Sequence, residues 1–147
     1  MPYLHVIQSL TDPLCSLITD DPVRPEIPLE FRVSVSSEIF ALLDELSQEP
    51  LAAVCCAYRD LIPENTHELI AQPLSASVAV FYTIWSYKPG AGRKLIIAAR
   101  EWIQSNRPEI ARFVTLSPPT DMARVFHLRN GAEVFRINTD TVNYLYP

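Results

Sequence analysis

Val78–Ser86 (VAVFYTIWS) constrains this chain more than any other stretch. Its β-branched and aromatic residues read as a central strand covered on both faces. Tyr87-Lys88-Pro89-Gly90-Ala91-Gly92 follows, and then a helical pattern begins. Leu95, Ala98, Ala99, Trp102 and Ile103 recur at the spacing of one helix face, while Arg93, Lys94, Arg100, Glu101 and Gln104 line another. Pro108 stops the helix, and Ala111–Ser117 (ARFVTLS) reads as the next strand. A strand, a helix and a strand in succession predict a parallel step in a sheet.

Around this unit the spacing predicts further strands at Tyr3–Leu10, Glu38–Leu43 and Leu51–Tyr58, the last two joined as a hairpin. Asp12-Pro13 opens a short helix over Thr11–Thr19. Asp20–Pro28 reads as a proline-punctuated loop, and Leu61–Ser77 as a polar connection. A short helix runs from Thr120 to Asn130, capped by Gly131. Glu133–Ile137 and Thr141–Tyr146 finish as strand, either a pair or one long bent strand. The expectation is a single α/β domain over residues 1–147 with a mixed, mostly antiparallel sheet flanked by helices.

The chain has 147 residues, enough to bury a real core as one domain. The formal charge of −5 argues against a general nucleic-acid binder. Residues 1–85 hold three basic and twelve acidic residues, whereas residues 86–147 hold nine basic and five acidic. That asymmetry suits an anion site in the C-terminal part, and equally an uneven surface. No apolar run reaches the ~20 residues of a membrane span. The start, Met1-Pro2-Tyr3-Leu4-His5, lacks the pattern of a signal peptide, so a cytoplasmic location is expected. Cys15, Cys55 and Cys56 make a poor disulfide framework and read as buried thiols. His5, His67 and His127 are scattered, so no metal site is expected.

Gly90 and Gly92 would let successive amides approach an anion, with a helix amino end pointing at the same place. Lys88, Arg93 and Lys94 add positive charge there. The same glycines also suit a plain tight turn that needs φ > 0. No GK[ST] follows, so the turn is not an ATP- or GTP-hydrolysing loop, and the third glycine of the dinucleotide fingerprint is missing.

From Val78 to Arg136 the sequence resembles the GCN5-related N-acetyltransferase (GNAT) superfamily. That family places an Arg or Gln, two residues, Gly, one residue, then Gly or Ala between its fourth strand and a long helix. Here Tyr87-Lys88-Pro89-Gly90-Ala91-Gly92 holds that place. The family's second signature runs from an Asn through an Ala and a Tyr to Gly-Phe. Here it reads Thr120, Ala123, His127, then Gly131-Ala132. Tyr87, Thr120 and His127 depart from the usual residues.

The resemblance implies an acyl-CoA N-acyltransferase fold with a V-shaped splay between the fourth and fifth strands, and acetyl-CoA or another acyl-CoA as co-substrate. The amides from Lys88 to Arg93, including Gly90, Ala91 and Gly92, would hold the diphosphate. The backbone of Ile84 and Trp85 would face the pantetheine and thioester, with Tyr87 and Thr120 at the remaining signature positions. His127 would be the general acid, wet at the edge of a face packed through Met122, Val125 and Phe126. Asp60, Glu64, His67 or a water chain are the candidates for the base. The implied reaction is acyl transfer to the amine of an unidentified small molecule or protein, with a homodimer compatible. The alternative is a silent binding or structural protein of this fold. Phe126–Phe135 (FHLRNGAEVF) has some similarity to small virion proteins of phages.

Overall fold

The computed structural model describes residues 1–147. Seven strands form one sheet: β1 (Tyr3–Ile7), β2 (Ser37–Leu43), β3 (Pro50–Arg59), β4 (Val78–Ser86), β5 (Arg112–Thr115), β6 (Glu133–Ile137) and β7 (Val142–Tyr146). Their order is β1-β2-β3-β4-β5-β7-β6. Every pairing is antiparallel except β4 with β5. The helices are a 3-10 helix over Pro13–Asp20, the single turns α1 (Leu29–Arg32) and α2 (Thr66–Leu69), α3 (Ala91–Asn106) and α4 (Asp121–Arg129). The expected mixed sheet with one parallel step is therefore present. The chain ends in an antiparallel β6–β7 hairpin rather than one bent strand.

The sheet is covered on both sides. On one face Ile39, Ala41, Ala53, Cys55, Val80, Val114 and Leu116 pack under the 3-10 helix, the loop after it and α1. On the other, Phe40, Val54, Cys56, Ala79, Phe81 and Phe113 pack under Leu95, Ile96, Ala99 and Ile103 of α3. Cys55 and Cys56 point to opposite faces, as strand alternation requires, and all three cysteines are buried and unpaired.

Strand alternation alone puts Tyr82 and Trp85 on opposite faces, and here the structure corrects it. Cys55 pairs with Thr83 but Cys56 pairs with Phe81, so β4 carries one extra residue at Tyr82. A bulge of this kind resets the parity of the strand. Tyr82 and Trp85 consequently both belong to the core under the N-terminal segment.

Two glycines carry definite backbone roles. Gly90, at the amino end of α3, has φ +79° with open space where a Cβ would stand. Gly131, after α4, has φ +94° and ends that helix as expected. The local rules thus place α3 directly behind the end of β4, and that junction positions the site.

Candidate functional site

β4 and β5 run together for only four pairs, from Val78 with Arg112 to Phe81 with Thr115. One further bond, from Leu116 N–H to Phe81 O, closes the ladder. Beyond it Ser117 turns away and pairs with Val142 of β7, while β4 stays on β3 to Ser86. The two parallel strands therefore splay. Tyr87 N–H donates to Leu51 O, and Trp85 pairs with Ala53. By the alternation of an antiparallel ladder, Ile84 and Ser86 turn their backbone groups away from β3 and toward the opening, so the expectation is corrected at Trp85, whose backbone is engaged by β3.

Beside this opening lies an open groove of about 910 Å³ between the β4–α3 turn and α4. Ser86, Tyr87, Lys88, Gly90, Gly92 and Arg93 form one wall, and Asp121, Met122, Val125, Phe126, Arg129 and Asn130 the other. The N–H groups of Gly92 and Arg93 have no acceptor in the chain, because the turn preceding α3 offers them no carbonyl. Lys88, Arg93 and Arg129 outnumber the single carboxylate, Asp121, around the groove. Such a site favours an anion.

Of the sequence-predicted residues, the structure brings Tyr87, Lys88, Gly90, Gly92 and Arg93 together at the groove. Ala91 is buried in the first turn of α3. Gly92 has a second reason to be small, since a Cβ there would stand 3.1 Å from Cε1 of Phe126. A valine at 92 would therefore disturb α4 as well as any ligand. Trp85 is buried, and its Nε1–H donates to Tyr87 Oη at 2.9 Å. Tyr87 Oη in turn donates to Asp20 at 2.7 Å, and burial together with Asp20 pushes its pKa up to about 12. Thr120 caps α4, its Oγ1 accepting from Ala123 N–H, and does not line the groove.

His127 requires a correction. The helix is turned so that Met122 is 84% exposed and Val125 is 44% exposed, whereas His127 is buried. Its Nδ1 shares a hydrogen bond of 2.7 Å with Tyr146 Oη, and its ring stacks on Tyr144 at 5.1 Å. Burial lowers its pKa to about 4, so it is neutral at pH 7 and is not the wet proton donor expected. The reason is β7: its tyrosines cover the inner side of α4 and make a slot that accepts a flat polar ring. Met122 and Val125 stand instead on the groove wall as apolar surface.

The candidate bases lie elsewhere. Asp60 accepts from the N–H groups of Leu74 and Ser75. Glu64 and His67 line a second pocket of about 710 Å³ with Arg59, Arg112 and Arg136.

The loop after the 3-10 helix holds what sequence reasoning missed. Asp21 and Arg32 form a fully buried ion pair at 2.7 Å. Asp21 also accepts from Thr83 Oγ1 on β4 and from the N–H groups of Val23 and Arg24. Arg24 reaches the sheet itself, donating to Tyr82 O and Leu116 O. Charged residues in a proline-rich loop carry no sequence signal of burial, because such residues are usually exposed.

No protein-family model matches the sequence, and no curated protein matches it. Solved structures do match. A malonyl-CoA decarboxylase from Cupriavidus metallidurans superposes with a TM-score of 0.78 at 19% identity, over 99% of this chain and 60% of that one. The chain thus spans less than two thirds of that relative. Tetrahymena GCN5 matches at 0.61 and 13% identity, over 99% of this chain and 97% of its own. An NAA60 from Arabidopsis thaliana, in complex with a bisubstrate analogue, matches at 0.64 and 14%, over 99% and 98%. The seven-stranded sheet, its one parallel step and the splay at its centre give this chain the GCN5-related N-acetyltransferase fold.

Proposed function

We propose that the protein binds an acyl-CoA along the groove and acts on its thioester at the β4–β5 opening. One observation carries this reading: the acceptor-free N–H groups of Gly92 and Arg93 lie at a cationic groove that reaches Ser86 at the end of β4, where β4 has parted from β5. The diphosphate would sit on the amino end of α3, where unpaired N–H groups and the helix dipole favour negative charge. Lys88, Arg93 and Arg129 would add charge, and Met122 and Val125 an apolar wall. The backbone groups of Ile84 and Ser86 would bond the pantetheine amides.

The reaction that the family resemblance implies is transfer of the acyl group to an amine. That reaction needs a group to take the amine's proton. At the splay the nearby carboxylate, Asp21, is bound by Arg32 and Thr83 and is unsuited to the task. Asp60, Glu64, His67 or a water chain would have to serve. A second reading, decarboxylation of a malonyl-type acyl-CoA, is favoured by the higher structural likeness to the malonyl-CoA decarboxylase. It needs no base, only a place for the charge left behind and a proton to quench it.

In both readings His127 is a positioning residue, fixing α4 against Tyr144 and Tyr146, and not the acid. Mass spectrometry separates the readings. Malonyl-CoA incubated with the protein should yield acetyl-CoA under the second reading. Acetyl-CoA should release free CoA only when a polyamine or peptide amine is added, under the first. Binding with neither product would leave the silent binding protein as the function.

A further inference from the structure

Arg24 sits where β4 and β5 part. Its Nε donates to Tyr82 O at 2.9 Å, its Nη2 to Leu116 O at 2.8 Å and its Nη1 to Thr66 Oγ1 at 3.0 Å. Tyr82 and Leu116 are the first residues beyond the last ladder pair, so the guanidinium bridges both strands at the vertex of the splay. The residue is 8% exposed.

A guanidinium carries five N–H donors, of which these bonds engage three. No carboxylate pairs with Arg24; the ion pairs of the chain are Met1–Glu45, His5–Asp12, Arg32–Asp21 and Arg107–Glu38. Asp21 and Arg32 neutralise each other, and the exposed Glu26 lies near Arg24 without pairing to it, so the buried groups of the cluster keep one positive charge. Burial pushes the Arg24 pKa down and outweighs the upward pull of Glu26 and Asp21, the mark of a cation short of solvent. Two carbonyls can be bridged by a neutral amide at much lower desolvation cost. A charge retained at this vertex calls for an anion there.

We propose that Arg24 is a catalytic cation that stabilises negative charge on the acyl oxygen of the bound thioester. The proposal rests on the acyl-CoA reading above and holds for either reaction. In transfer, the amine nitrogen forms a bond to the carbonyl carbon and the π pair moves onto the oxygen. When that pair returns, the C–S bond breaks, and the sulfur leaves with the proton shed by the amine. In decarboxylation, the bond to the carboxylate carbon breaks and carbon dioxide leaves. The electron pair enters an enolate with its charge on the same oxygen, and the α-carbon then takes a proton from water or an acid. A fixed cation in a slot poor in water is an effective way to hold that charge.

Calorimetry on the full chain with CoA and two non-reacting probes tests this. S-ethyl-CoA has no acyl oxygen, whereas S-carboxymethyl-CoA places a carboxylate beside the sulfur. The unmodified protein should bind S-carboxymethyl-CoA roughly 10-fold or more tighter than S-ethyl-CoA, the size expected of a charge-assisted bond. Arg24→Gln, its fold checked by circular dichroism, should bring the two affinities within about threefold, and Arg24→Lys should keep part of the preference. Equal affinities in the unmodified protein overturn the role of Arg24 whatever the variants do. If CoA itself fails to bind, the acyl-CoA reading falls and takes this proposal with it. If CoA binds and the preference is missing, only the role of Arg24 falls.

Discussion

Arg32→Met should be the most damaging single substitution in the chain, costing about 3–5 kcal/mol of unfolding free energy. Arg32 has no solvent exposure. Its Nη1 lies 2.7 Å from Asp21, its Nε donates to Ile27 O and its Nη2 to Arg24 O. Methionine fills comparable volume, so little of the loss is a cavity. The loss comes from a buried carboxylate left without its cation and from carbonyls left without donors.

Burial alone would raise the pKa of Asp21. The bonds from Arg24 N–H, Arg32, Val23 N–H and Thr83 outweigh it and hold the carboxyl below its usual value. A depressed carboxylate pKa means stability that is present above the unfolded value and lost as pH falls through the folded one. Arg32→Met should weaken that acid dependence as well. Adding Asp21→Asn should recover part of the loss, since the two residues are coupled. Urea unfolding of the parent and the two variants measures all of this, and a loss under about 1 kcal/mol for Arg32→Met would mean that the pair is not closed in solution.

The second large effect belongs to His127. Its pKa falls from 6.5 to about 4 on folding because its ring is buried among Phe126, Tyr144 and Tyr146. The folded state binds the neutral ring, so this stability is complete above pH 6.5. It declines as pH falls from there toward 4, where the unfolded chain takes up a proton that the folded chain refuses. The difference amounts to about 3 kcal/mol. His127→Gln keeps a group able to bond Tyr146 Oη and removes the titration. The parent should lose about 3 kcal/mol more than His127→Gln between pH 7 and pH 4, with the carboxylates common to both cancelling in the comparison. Parallel pH profiles would place the imidazole in water and restore it as a candidate acid.

Val78–Ser86, the turn at Gly90 and the stripe through Leu95, Ala99 and Ile103 were legible, because periodicity and β-branching report burial directly. From those alone the parallel step follows, while the early end of its ladder was implied by the family resemblance. Three features were not legible, each for a different reason. The bulge at Tyr82 is a register event between two strands, and neither strand's own pattern records it. The rotation of α4 is decided by Tyr144 and Tyr146, which lie on a distant strand and favour His127 over Met122 as the inward residue. The triad of Asp21, Arg24 and Arg32 lies in and just after a loop whose composition signals exposure, and only the sheet opposite supplies partners that make burial tolerable. The residues that line the groove at the amino end of α3 were therefore visible in the sequence, and the cationic vertex of the splay was not.

The central claim is that the amino end of α3 receives the diphosphate of a CoA thioester. Amide shifts of 15N-labelled protein titrated with CoA test it most directly. Saturable shifts should centre on Gly90, Gly92 and Arg93 and spread to Ile84 and Ser86, with Glu64 and His67 in the second pocket unmoved. Shifts confined to that second pocket, or none at millimolar CoA, would contradict it.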